Sequence, residues 1–299
     1  MSVEMIALVL LAAAFHATWN ALVKIKGDRL IVMVVITLAG SIFSLLVAPF
    51  VEAPAPASWG LLALSIVLHT AYHFFLPVAY DHGDLGQVYP IARGSAPLLV
   101  AIGALAFAGE SLTPLALLGT LCLAAGVMAL TFEHDSGIWK RPKPVAYALL
   151  TGVLIASYTV VDGVGARQAG SALGFAVWLT IGDGLLTFLI VSVWKGRETL
   201  VLAKQNVGVG LLGGVLQVAG YWIIVWALAV APMAMVSGLR ETSVLFAAFI
   251  STFVLKEGFG VGALFRRVSS HSGWRQRKSA SEQCRPKCRL TAQSTRTRA

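Results

Sequence analysis

Charge is scarce in this chain. Charged residues make up 12% of its 299 amino acids and hydrophobic ones 57%, with a mean hydropathy of +0.79, whereas soluble domains carry about 25% charge. One water-soluble core cannot absorb that much apolar surface, so the length reads as a number of bilayer spans. Cysteine is nearly absent. Cys122 lies in an apolar run and Cys284 and Cys288 near the C-terminus, which gives neither a paired framework nor metal-knuckle spacing. The N-terminal apolar run lacks a basic stretch before it, its only early charge being Glu4, so it is expected to be a retained first span and not a cleaved signal. HExxH, GxSxG and glycine-rich phosphate loops are also missing, and no cofactor or metal is expected.

The formal charge of +9 suggests nucleic acid until it is located. Residues 266–299 hold ten of the 23 basic and one of the 14 acidic residues, leaving 13 of each in residues 1–265. The body is neutral, and nucleic acid is not an expected partner.

Charges, Gly and Pro divide the remainder into nine runs of about bilayer length, near 3–23, 30–50, 59–80, 88–109, 112–131, 145–165, 171–194, 207–230 and 232–255. The expected class is an all-α integral membrane protein. The loops after spans 1, 5 and 7 each carry three Lys or Arg, while those after spans 2 and 4 carry none. The positive-inside rule makes the charged loops cytoplasmic and the N-terminus external. The connections, including 132–144 and 195–206, are too short for a soluble domain.

Sliding the chain by 147 residues lays Arg93 on Arg240, Leu98 on Leu245, Ala101 on Ala248 and Glu110 on Glu257. Identity is low, yet each copy places an Arg inside a span with a Glu 17 residues on. The same shift lays Phe74 and Phe75 on Tyr221 and Trp222. Two copies of a five-span unit follow, 1–131 and 145–257, and an odd span count forces the copies into opposite orientations.

Trp19, Asn20 and Lys24 at the end of span 1, AFAGESLTPLALLGTLCLAAGVMAL (106–130), WALAVAPMAMVSGL (226–239) and ISTFVLKE (250–257) resemble the EamA type of the drug/metabolite transporter superfamily. The resemblance covers about residues 1–258. It implies ten helices in two inverted five-helix repeats in a bacterial inner membrane, moving small polar metabolites as an exporter or permease without ATP. The chain departs from that pattern after Glu257, where the tenth helix is missing and residues 262–299 are basic, polar and expected to be disordered. They read either as a basic tail touching anionic lipid or as the product of a shifted reading frame, and the repeat favours the second.

A titratable side chain at the bilayer centre costs at least about 2.5–3.5 kcal/mol on the insertion scale, so each marks a candidate site. They are His16, Asn20, His69, His73, Arg93, Asp162, Asp183, Arg240 and Glu241. Arg93 and Arg240 occupy equivalent places in the repeats, and guanidinium forks suit a carboxylate or phosphate. The competing reading is that each is neutralised by an internal acid such as Asp162 or Glu241 and merely pins helices. Glu241 follows Arg240 directly, and neighbours on a helix point about 100° apart, so the two are not expected to face each other. Asp162 and Glu241 are candidates for a coupling proton. His69 and His73 share a helix face at i, i+4, but no third metal ligand beyond His16 is evident. Tyr72, Phe74, Tyr80, Tyr89, Tyr158, Tyr221 and Trp222 are candidate cavity aromatics. Pro90, Pro97 and Pro232 are candidate helix breaks.

Expected partners are therefore the lipid bilayer and a small polar or anionic metabolite, with a homo-oligomer left open. Two other classes compete. One is an inactive truncated transporter or membrane scaffold. The other is an intramembrane aspartyl protease, to whose Tyr-Asp and Gly-x-Gly-Asp motifs Asp162 and Asp183 are similar, although Val161 and Thr180 break the match and no Pro-Ala-Leu follows.

Overall fold

A computed structural model describes residues 1–25, 28–82, 85–129 and 142–250. Residues 262–299 and Glu257 lie outside them, as do the side chains of Tyr80 and Tyr89. All regular structure among the described residues is helical: α1 (Val3–Ile25), α2 (Arg29–Val47), α3 (Trp59–His82), α4 (Leu85–Ala108), α5 (Pro114–Ala129), α6 (Pro142–Gln168), α7 (Ala172–Lys195), α8 (Arg197–Gln205), α9 (Val207–Val230), α10 (Met233–Arg240) and α11 (Ser243–Phe249). Seven segments are long and apolar enough to cross a membrane: Val3–Val23, Arg29–Phe50, Pro56–Leu76, Pro90–Ala108, Pro142–Gln168, Ala172–Lys195 and Val207–Val230. They leave aliphatic and aromatic side chains such as Phe107, Val193 and Leu211 exposed, as lipid-facing surfaces do.

The two other expected spans differ from that picture. α5 is apolar but has 16 described residues. The run at 232–255 is interrupted at Glu241 and Thr242, between α10 and α11. There the backbone tightens into i, i+3 turns, Thr242 N donating to the Leu239 carbonyl at 3.1 Å and Leu245 N to the Thr242 carbonyl at 2.9 Å. Pro90 and Pro97, by contrast, sit inside an unbroken α4. The stretch 195–206, expected as a plain connection, contains α8.

Ends are set by ordinary capping. Asp28 accepts hydrogen bonds from the N–H groups of Leu30 and Ile31 at the start of α2, and Ser171 from Gly174 at the start of α7. Gly170, at φ +73°, turns the chain from α6 into α7.

The packing is organised in pairs. α4 lies on α6, and α10 with α11 lies on α1; α3 lies on α6, and α9 on α1; α2 lies on α9, and α7 on α3. α2 also packs on α7, and α4 on α10. With no water to drive helices together, close backbone approach decides which pairs form. A Cβ on Gly184 would stand 2.3 Å from the Thr37 carbonyl, and one on Gly152 would stand 2.3 Å from Ser95 Oγ. On α5, Gly119 and Gly126 have nothing within 4 Å of where a Cβ would be among the described residues. α5 instead meets α4 at Gly94, against Met128 and Ala124.

Candidate functional site

Helices α1, α2, α3, α6, α7, α9 and α10 enclose one cavity of about 60 Å³. A water needs about 10–15 Å³ of such space, so the cavity holds a few waters or part of a small ligand. Its wall mixes rings (Trp19, Tyr72, Tyr158, Tyr221) with ionisable groups (His16, His69, His73, Asp183, Arg240).

At one end lies a buried charged triad. Arg93, at the middle of α4 and 1% exposed, directs its Nη1 at both Glu241 carboxylate oxygens at 3.4 Å and its Nη2 at His16 Nε2. Arg240 places Nε 3.7 Å from Glu241 Oε1 and donates to Thr159 Oγ1 at 3.4 Å, with its guanidinium 5.8 Å from the Tyr158 ring centre. Both residues keep right-handed helical backbone, and, as expected of neighbours about 100° apart, their hydrogen bonds go to different partners: Arg240 donates to Thr159 and Glu241 accepts from Arg93. Glu241 is the internal acid anticipated for the arginines, and a buried pair of this kind offsets the cost of desolvation. Arg240 Nε nonetheless has no hydrogen-bond partner.

Asp162, fully buried on α6, accepts from the Ser65 hydroxyl and the Tyr221 hydroxyl and lies 3.8 Å from His69 Nε2. His69 Nδ1 sits 3.0 Å from the Ser65 carbonyl, and its ring lies 4.0 Å from that of Tyr158. One turn along α3, His73 Nδ1 is 3.4 Å from Asp183 Oδ1, which also takes the Thr70 hydroxyl at 3.3 Å and the Thr187 hydroxyl at 3.5 Å. Each aspartate is therefore held by its own donors. No group of three metal-binding side chains occurs among the described residues.

The other candidates divide. Tyr72, Tyr158 and Tyr221 line the cavity, whereas Phe74 packs with Ile31 and Val191. Trp222 stacks on Phe43 and donates to Thr180 Oγ1 at 3.4 Å. Asn20 donates to the His16 carbonyl at 2.8 Å, back along its own helix. Pro232 caps α10. Sequence reading passed over Ser65, Thr159 and Gln217, whose only signal is a polar group inside an apolar run. It also passed over a clamp at one rim. Arg167 reaches Glu110 at 2.5 Å and the carbonyls of Leu228 and Ala231 at 2.9 Å, while Glu110 accepts from Met233 N at 2.8 Å.

Residues 142–266 match the model of the EamA-like transporter family, consistent with an EamA-type drug/metabolite transporter, and the match starts where α6 starts. A solved crystal structure has the same fold at a TM-score of 0.61 and 17% identity, over 84% of this chain and 87% of that one. No curated protein matches the chain.

Proposed function

We propose that this EamA-like membrane transporter is a secondary carrier, an exporter or permease, that moves small anionic or zwitterionic metabolites by alternating access between two inverted five-helix repeats. The observation that carries the substrate class is Arg240. Arg240 lines the cavity, its Nε is without a hydrogen bond, and Glu241, itself paired with Arg93, lies 3.7 Å from that Nε. A carboxylate or phosphate fits such a fork.

The repeat reading has independent support. The 147-residue shift sends α1, α2, α3 and α4 to α6, α7, α9 and α10–α11, and the packed pairs exchange accordingly. Positions that should meet on a two-fold axis do so: Thr37 and Gly184, 147 residues apart, touch. Rim contacts support the crossings. Glu110, Arg167 and Ala231, at the ends of α4, α6 and α9, share one clamp. Asp28 and Lys195 pair between the start of α2 and the end of α7. With the ends of α4 and α6 on one side, the chain must return across the membrane between them, over α5.

Uptake of a panel of labelled amino acids and organic acids into proteoliposomes tests the reading. Arg240→Ala should abolish transport of the accepted solute, and Arg240→Lys should keep part of it because the charge survives without the fork. Normal transport by the Ala variant would falsify the assignment.

A further inference from the structure

We propose that His69 and Asp162 form a proton-binding site in the wall of the central cavity, and that a proton there and an anion at Arg240 bind more tightly together than apart. The second part rests on the anion reading above.

The site follows from counting donors. The Ser65 hydroxyl donates to Asp162 Oδ1, so the same hydrogen cannot go to His69 Nδ1, 3.2 Å away. His69 Nδ1 therefore carries the hydrogen and donates to the Ser65 carbonyl at 3.0 Å. In the neutral ring that leaves Nε2 as a bare acceptor. Nε2 is buried without a hydrogen-bond partner and faces Asp162 Oδ2, another acceptor, at 3.8 Å. Two acceptors opposed in a low-dielectric interior are unfavourable. One added proton on Nε2 converts that opposition into an imidazolium–carboxylate pair. No other group is altered: Asp162 keeps its hydrogen bonds from Ser65 and Tyr221.

The surrounding charges set the sense of the coupling. Asp162 and Tyr158 face His69 from α6, Asp183 from α7, Tyr221 from α9, Arg240 from α10 and His16 from α1, with His73 on α3 itself. The part of α2 in the wall, Thr37 and Gly40, carries nothing titratable, and Arg93 on α4 is engaged with His16 and Glu241. The carboxylates favour a charged His69 and Arg240 opposes it, both cations lying against the Tyr158 ring. An anion on Arg240 cancels that opposition, and linkage makes the effect mutual.

The experiment uses the full chain in lipid nanodiscs with ¹⁵N-labelled imidazoles, assigning His69 by the signal missing from H69Q. The neutral ring should be the Nδ1–H tautomer, and Asp162→Asn should lower its proton affinity by about tenfold or more, the effect of losing an adjacent charge. An Nε2–H tautomer, or a titration that Asp162→Asn leaves in place, overturns the site. Radiolabelled benzoate serves as the anion probe. In the wild type its affinity should rise about tenfold as pH falls through the His69 midpoint, while H69Q binds benzoate with no such rise. A flat or inverted dependence in the wild type overturns the co-binding. Failure of benzoate to bind at any pH, with His69 titrating as stated, would count against the anion reading and leave the proton site standing. Loss of benzoate in R240A with the His69 titration retained supports both.

Discussion

Positions 94 and 241 are equivalent under the 147-residue shift, and they solve opposite problems. After Arg93 the residue is Gly94, inside an unbroken α4, where a Cβ would stand 2.5 Å from Met128 Cγ and 3.1 Å from the Ala124 carbonyl. The missing side chain lets α5 close onto α4. After Arg240 the residue is Glu241, where the helix tightens into i, i+3 turns, and the carboxylate reaches both Arg93 and Arg240. Two buried cations thus share a single acid between them. A second acid at position 94 would cost the α4–α5 contact.

The comparison breaks most sharply at Glu241. Glu241→Gln leaves two buried guanidinium groups without their shared carboxylate, and removing one partner of a buried pair costs about 3–5 kcal/mol. Thermal unfolding of the detergent-solubilised chain should show a loss larger than that of any rim or glycine substitution. If E241Q melts with the wild type, the triad is not an ion cluster. A smaller loss, about 2 kcal/mol, is expected for Arg167→Ala, which strips hydrogen bonds from the Leu228 and Ala231 carbonyls and leaves Glu110 holding Met233 N alone. That clamp joins the end of α4 to the start of α10. Accelerated hydrogen exchange in R167A confined to residues near 231–240 would confirm the route, and exchange unchanged there would refute it.

Glycines sharpen the same contrast between closed and open contacts. Gly184→Ala places a methyl 2.1 Å from Ser41 Oγ and 2.3 Å from the Thr37 carbonyl, and backbone cannot yield as a side-chain tip can. The expected loss is about 1–2 kcal/mol. Gly119→Ala meets nothing within 4 Å and should be neutral or stabilising by up to about 1 kcal/mol through helix propensity. Equal melting temperatures for the two variants would remove close approach as the reason α2 and α7 pair.

Much of this was legible in the sequence, because bilayer solvation is a blunt requirement. An apolar run of about 20 residues has few alternatives to a helix, and a buried arginine marks its own position by its cost. The α10–α11 interruption was not legible, since a local tightening to i, i+3 turns leaves no mark on an apolar run. Nor was the Ser65–Asp162–Tyr221 arrangement, whose members come from three helices, Ser65 lying 97 and Tyr221 59 residues from Asp162. His69 was visible as half of an i, i+4 pair. In the fold its Nε2 faces the aspartate of another helix, at 3.8 Å. α8 was hidden because a nine-residue amphipathic helix among charges reads as a loop.

The smallest effect lies at the rim opposite the clamp, where Lys195 at the end of α7 pairs with Asp28 at the start of α2. Partial burial pushes the Asp28 carboxyl up, but the hydrogen bond from Lys195, the Ile31 and Leu30 N–H groups and the ammonium charge outweigh it and hold the carboxyl below its ordinary value. A folded value below the unfolded one means stability that is complete above about pH 3.9, the ordinary Asp value, and is lost as pH falls through the folded value. Asp28→Asn isolates this contribution, because Asn still caps α2 through its side-chain oxygen while the charge is removed. At about pH 6 the wild type should melt slightly above D28N, and the gap should close as the medium is acidified. Because both side chains are partly exposed, added salt at constant pH should also shrink the gap. A gap that persists in acid would mean that geometry and not charge joins α2 to α7, in contrast to the buried triad, where the charges themselves hold the helices.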